Sequence, residues 1–292
     1  MASPQQVNYS KPASFDRTIV LDEFARQFKS SPHYNPGAAQ NLMILLGLIE
    51  GDNDITDVRW AAYMLATAMY ETTIPERIER PALNKKGKPI HNKNGQPVMV
   101  KYKKWLSVMA PVEEVGHGRG RRYHEPVKIK ALPDGSVRVT EHDGDQFLVK
   151  PTGGISNLTK NAKMGSPDGA PANIGYEKDN GDEHVYFGRG YVQLTWWSNY
   201  AAAGVAMGCG LKYLLDPESV KTTETAYKIM SYGMVNGAIF ANNYSFGDFF
   251  SGTKTDYVGA RKMVNGNDHA EEIANLAQKF ETVLLKARPK SQ

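Results

Sequence analysis

The sequence predicts a mainly α protein with β-rich insertions in its central part. Two observations carry that prediction. Apolar residues recur at three- and four-residue spacings over residues 17–75 and again from about 200 to 288. Between them lie short alternating runs punctuated by tight turns, at 84–104 and 127–150. A chain of 292 residues can bury one large core or two modest ones. Residues 16–288 are expected to form one folded unit, with insertions at about 84–104 and 126–185. A polar, flexible arm is expected over residues 1–15.

Three helical patterns fall within residues 17–75. The most apolar run, Leu42-Met43-Ile44-Leu45-Leu46-Gly47-Leu48-Ile49, is bounded by Asn41 and by Glu50-Gly51-Asp52. Pro36 stands near its start, where a fixed φ suits a first helical turn. The run is far shorter than the roughly 20 residues that cross a bilayer, so a core helix and no membrane span are expected. The third helix reads from Trp60 to Thr73 and can be capped by Thr56 or Asp57. Trp60, Met64, Thr67 and Glu71 share one of its faces.

In the first insertion, Asn94-Gly95 separates Lys88-Pro89-Ile90 from Pro97-Val98-Met99-Val100, a hairpin signal. The second insertion reads as a three-stranded meander. Its strands are Val127-Lys128-Ile129-Lys130, Val137-Arg138-Val139-Thr140 and Phe147-Leu148-Val149, joined by Pro133-Asp134-Gly135 and Asp143-Gly144-Asp145. It is expected to be a self-contained unit on the rim of a cleft rather than part of the core. Residues 151–184 are rich in Gly, Asn and Pro and read as a long loop. Further on, Asp216-Pro217-Glu218 opens a helix, and Asp268 caps a last one that aligns Ile273, Ala277, Phe280 and Leu284. No internal repeat is evident.

Composition narrows the function. Apolar content of 41% and charged content of 23% are those of an ordinary globular protein. The N-terminus has no basic stretch followed by an apolar one, so no secretory signal is expected. A single cysteine, Cys209, rules out an intramolecular disulfide framework and reads as a small core residue. His33, His91, His117, His124, His142, His184 and His269 show no metal-ligand spacing, so neither a metal nor another cofactor is expected. The net charge is +4. Lys85-Lys86, Lys101 with Lys103-Lys104, and Arg119 with Arg121-Arg122 read as solvated surface. No helix-turn-helix, zinc-finger or RNA-binding signature accompanies them, so nucleic acid is not an expected partner.

Four segments carry chemistry. In Phe187-Gly188-Arg189-Gly190-Tyr191-Val192-Gln193-Leu194-Thr195-Trp196-Trp197-Ser198-Asn199-Tyr200, amide and hydroxyl side chains alternate with aromatic ones. Aromatic faces stack on sugar rings, and amides and hydroxyls bond sugar hydroxyls and acetamido groups. The bland alternative is a buried strand or helix start with incidental polar residues. Glu71, before Thr72-Thr73, ends an apolar helical face, where a carboxylate is costly unless paired or protonated. A carboxyl with a raised pKa is what a general acid requires. Glu114 precedes Gly116, Gly118 and Gly120, glycines suited to a loop lying close to a ligand. Tyr257-Val258-Gly259-Ala260-Arg261-Lys262-Met263-Val264-Asn265-Gly266 is the fourth segment.

Together these segments resemble the family 19 glycoside hydrolases, which comprise chitinases and many bacteriophage endolysins. The string at 187–200 is the most specific match; Tyr70 departs from the family, where His is usual. The resemblance implies a lysozyme-like α+β core and an inverting mechanism. Glu71 would be the acid and Glu114 the base, with Glu76, Glu79 and Glu113 as rivals for the second role. Thr195 would hold the attacking water, Gln193 and Asn199 the sugar, and Arg261 and Asn265 the far wall. Tyr191 and Trp196 are further substrate candidates. The implied substrate is peptidoglycan, cut between N-acetylmuramic acid and N-acetylglucosamine. Such a monomeric protein would leave the host cytoplasm through a holin, or ride in the virion beside other virion proteins. A chitinase is the alternative enzyme. A non-catalytic wall-binding or structural virion protein is the alternative from another class.

Overall fold

The computed structural model describes residues 7–159 and 181–289. The protein is about 41% helical and 20% strand, a mixed helix-and-strand architecture and not the mainly α one the sequence predicts. The surplus strand lies where hydrophobic periodicity is silent. Thr73–Pro81 (β1) holds two prolines and four charged residues in place of an apolar alternation, and is set by pairing instead.

The three expected N-terminal helices form: α1 Arg17–Phe28, α2 Ala39–Gly51 and α3 Val58–Glu71. Asp16 and Asp57 cap the first and third through their carboxylates. Pro36 opens a short 3-10 turn that feeds α2. Eleven of the fourteen residues of α3 are buried, as a central helix hydrophobic on all sides should be. It packs against the last helix, α9 Ala270–Lys286, whose Ile273, Ala277, Phe280 and Leu284 form the expected buried stripe. His269, with φ of 54°, precedes that helix in place of the expected Asp268 cap. Of the expected arm, residues 9–15 lie against this core. Lys11 N–H donates to the Thr56 carbonyl at 2.7 Å, Phe15 N–H to Glu50 Oε1 at 2.7 Å, and Phe15 itself is buried.

β1 pairs antiparallel with β2 Met99–Ser107 over nine residue pairs, in a ribbon longer than the hairpin expected at 84–104. Its tip repeats one eight-residue unit that the sequence reading missed, Asn84-Lys85-Lys86-Gly87-Lys88-Pro89 and Asn92-Lys93-Asn94-Gly95-Gln96-Pro97. In each unit the asparagine Oδ1 accepts two backbone N–H groups, and Gly87 and Gly95 take φ near +75°.

The meander becomes part of a larger sheet. β4 Val127–Ala131, β5 Val137–Thr140, β6 Gln146–Val149, β7 Ile155–Thr159 and β8 Asp182–His184 run in the antiparallel order β7-β6-β5-β4-β8. Val127, Ile129, Val137, Val139 and Val149 are buried in a second core. The helices α4 Trp197–Ala206 and α5 Lys212–Leu215 supply its other side, through Trp197, Tyr200, Ala203 and Leu214. The meander is therefore core, not a detachable rim unit. Within the expected loop at 151–184, residues 155–159 and 182–184 are strand, and 160–180 lie outside the described residues. Replacing residues 128–150 with a short Gly-Ser linker should strip α4 of its packing and lower the melting temperature or abolish cooperative unfolding. Circular dichroism melting checks this; a wild-type midpoint would show the sheet to be dispensable.

The remaining elements are short strands β3 Val112–Glu113 and β9 Arg189–Gly190, then α6 Thr223–Asn236 and α7 Phe246–Phe249. The hairpin β10 Phe250–Ser251 with β11 Lys254–Thr255 and the one-turn helix α8 Lys262–Asn265 follow. Asp216-Pro217-Glu218 starts a 3-10 turn, and Thr222 caps α6 behind it.

Candidate active site

A four-residue ladder assembles the site. β3 pairs antiparallel with β9, setting Val112 opposite Gly190 and Glu113 opposite Arg189. The next residue continues the ladder, since Glu114 N–H donates to the Gly188 carbonyl at 2.7 Å. The glycine-rich segment and the 187–200 string are thereby joined. Arg189 anchors the string from behind: it is buried, ion-paired to Glu218 at 2.7 Å and stacked 3.7 Å from the Phe187 ring centre.

Glu71 ends α3 and opens into the same cleft, an open volume of about 770 Å³. Its carboxylate accepts from Arg261 Nη1 at 2.6 Å, and Arg261, itself buried, also donates to the Asp268 carbonyl at 2.8 Å. Burial raises the Glu71 pKa above the usual carboxylate value, against the Arg261 charge and hydrogen bond, which pull it down. Arg261 therefore lies beneath the acid and is not an exposed wall of the cleft.

Glu114 is held at both oxygens. Tyr123 Oη donates to Oε1 at 2.9 Å, and Gly188 N–H donates to Oε2 at 3.1 Å. Burial and that bond to Glu114 push the Tyr123 hydroxyl up to about 12, so it remains a donor at neutral pH. Gly118 is required here by close approach: a Cβ on it would meet the Tyr123 ring at 2.3 Å, and its φ is +71°.

Thr195, Gln193, Trp196 and Asn265 line the cleft with the two glutamates. Gln193 and Trp196 hold positive φ, 51° and 69°, and backbone strain of this kind in a non-glycine residue persists only where its surroundings enforce it. Gln193 Nε2 donates to the Val112 and Gly190 carbonyls at 3.4 and 3.3 Å, tying the string across the ladder. Trp196 is 40% exposed, a ring available for stacking, and meets Tyr123 edge-on. Two expected substrate residues lie elsewhere. Tyr191 is buried in the first core, and Asn199 spends its amide on the Thr195 carbonyl at 3.0 Å, one turn into α4. Asn199 thus fixes the backbone of Thr195.

The rivals for the second carboxylate divide sharply. Glu76 and Glu79 stand exposed on the ribbon, Glu79 facing Lys101 at 3.3 Å. Glu113 reaches the cleft, but it is engaged by Lys221 and lies 3.3 Å from His117. Trp105, Arg121, Tyr123, His33 and Asp268 also line the cleft and were not foreseen as site residues. Tyr123 and Arg121 do close the glycine-rich segment, so only their direction was hidden. Trp105 stands in a strand with no apolar pattern to mark it. Among the described residues no group of three or more His, Cys, Asp and Glu side chains is placed to hold a metal ion. Nor is any helix among them long and apolar enough to cross a membrane. No protein-family model, curated protein or solved structure matches the chain.

Proposed function

We propose that this protein hydrolyses the glycan strands of peptidoglycan by an inverting, metal-independent mechanism. One observation carries the reading: a half-buried glutamate with a raised pKa and a second glutamate oriented by two donors open into one cleft lined with amide, hydroxyl and aromatic side chains. Groups whose environments push their pKa values upward in a cleft are candidates for acid–base work. The resemblance of the 60–73, 111–123, 187–200 and 257–266 segments to family 19 glycoside hydrolases agrees with the same assignment.

In this mechanism Glu71 gives its proton to the glycosidic oxygen as the bond to the anomeric carbon breaks. A water held by Thr195 attacks that carbon from the opposite face, and Glu114 takes the water's proton. The product anomer is inverted, and exchange with solvent restores both carboxyls. Inversion requires carboxyls separated by about 6.5–9.5 Å, room for the water between them. Gln193 and Trp196 would seat the sugar, and Asn265 would bond it from the end of α8.

Purified protein should clear permeabilised Gram-negative cells and release muropeptides bearing reducing N-acetylmuramic acid ends, with poor action on colloidal chitin. Mass analysis of the released fragments is the test. Reducing N-acetylglucosamine ends would reject the muramidase assignment, and rapid chitin turnover would favour a chitinase. A protein that binds sacculi without cleaving them would instead be a wall-binding component of a virion.

A further inference from the structure

The β1–β2 ribbon takes no part in the acid–base chemistry, yet its composition sets it apart from the rest of the molecule. Residues 73–107 carry nine lysines and arginines against two glutamates, a net of +7; with +4 for the whole chain, all other residues together are net −3. No acidic residue occurs between Glu79 and Glu113. From Thr73 to Trp105 no side chain is buried. The ribbon also places like charges directly opposite one another at Arg77 and Lys103, an arrangement that costs an isolated hairpin stability.

The tip adds a second property. Ala82, Ile90 and Val98 are joined in a ring of backbone hydrogen bonds of 2.7–2.8 Å, which gathers the surrounding side chains at one end of the ribbon. There Leu83, Ile90, Val98, Met99 and Val100 are 37–50% exposed, interleaved with Lys85, Lys86, Lys88 and Lys93. Cations alone would suit any hydrated polyanion, but such a partner leaves five apolar side chains in water. Exposed apolar side chains grouped at one end of an element mark an interaction surface. The headgroup region of a bilayer accepts both kinds of side chain: apolar groups enter a few ångströms, and lysines extend along them to the phosphates.

We propose that the ribbon is a docking arm for an anionic phospholipid surface, with its tip seated among the headgroups. The observations behind it are independent of those behind the hydrolase reading, and binding is measured without turnover.

The full-length protein is sedimented with vesicles of phosphatidylcholine alone or mixed with phosphatidylglycerol. Binding should require the anionic lipid, weakening about tenfold or more in its absence and falling as salt rises. Replacing Lys85, Lys86, Lys88 and Lys93 with Gln should cost roughly fivefold per lysine. The combined Leu83→Ser, Ile90→Ser, Val98→Ser variant keeps every charge and should still lose at least about tenfold, through the lost apolar area. All seven side chains are exposed, and circular dichroism checks that both variants fold. Heparin supplies a second readout on the unaltered protein: it should displace vesicles only in large charge excess. Failure to bind anionic vesicles would overturn the proposal. So would serine variants that bind like wild type, or tighter binding to heparin than to vesicles, either of which makes a soluble polyanion the ligand.

Discussion

Glu71→Gln is expected to fold with wild-type helix content and to lose about 10²–10⁴-fold in lytic rate, the usual contribution of a positioned acid. The amide is nearly isosteric, and its oxygen can still accept from Arg261 Nη1, which bonds Glu71 at 2.6 Å. What it cannot supply is a transferable proton. The direction of the pKa shift adds a test of mechanism. Because burial holds Glu71 above the ordinary carboxylate value, the acid stays protonated further up the pH scale. Activity should therefore fall on the alkaline side as Glu71 ionises. Arg261 pulls that pKa down, so Arg261→Met should move the alkaline limb to higher pH in whatever activity remains. Glu71→Gln retaining more than a tenth of wild-type lysis would place the acid elsewhere.

Among Glu76, Glu79, Glu113 and Glu114 changed singly to Gln, Glu114 should be the sensitive position, with a loss on the order of 10²-fold or more. Glu114→Gln can keep its oxygen on the Gly188 N–H while its amide NH2 donates to the Tyr123 hydroxyl oxygen, so the loop geometry survives while the base is removed. Glu76 and Glu79 stand on the exposed ribbon and should be near neutral. Glu113 is bound by Lys221, and its loss should leave a modest deficit. Initial rates on purified sacculi rank the four; Glu113 as the most sensitive would shift the role by one residue and place the base beside Lys221.

Much of this arrangement was legible in the chain, and the omissions have physical causes. The N-terminal helices and α9 declare themselves because their apolar residues recur with the helix's own period, along one stripe in α9 and nearly all round in α3. The strands of the ribbon do not, since they bury no face; cross-strand pairs such as Ile78 with Tyr102 hold them, and sequence gives no sign of which residues will meet. The meander was visible as strands, but its role was not. Nothing in Val137-Arg138-Val139-Thr140 says that its valines will pack beneath α4. At the site, the resemblance to a known family pointed to Glu71, Glu114, Gln193, Thr195, Trp196 and Asn265, which share the cleft. It misplaced Arg261, Tyr191 and Asn199, because residue type announces hydrogen-bonding capacity without announcing burial. The positive φ of Gln193 and Trp196 was equally hidden, as neither residue type favours it.

The division of the molecule into two cores bears on how the cleft keeps its dimensions. Glu71 terminates a helix of the first core, whereas Glu114 is strung from the segment that leads into the second. The gap between the two carboxyls is therefore a tolerance stack: small displacements in either core, harmless to the stability of each, add at the one place where they meet. Misplacing a reacting group by about 1 Å can cost on the order of 10²-fold in rate. The β3–β9 seam acts as the gauge block of the assembly, and its worth lies in the length it holds constant more than in the strength of its few hydrogen bonds.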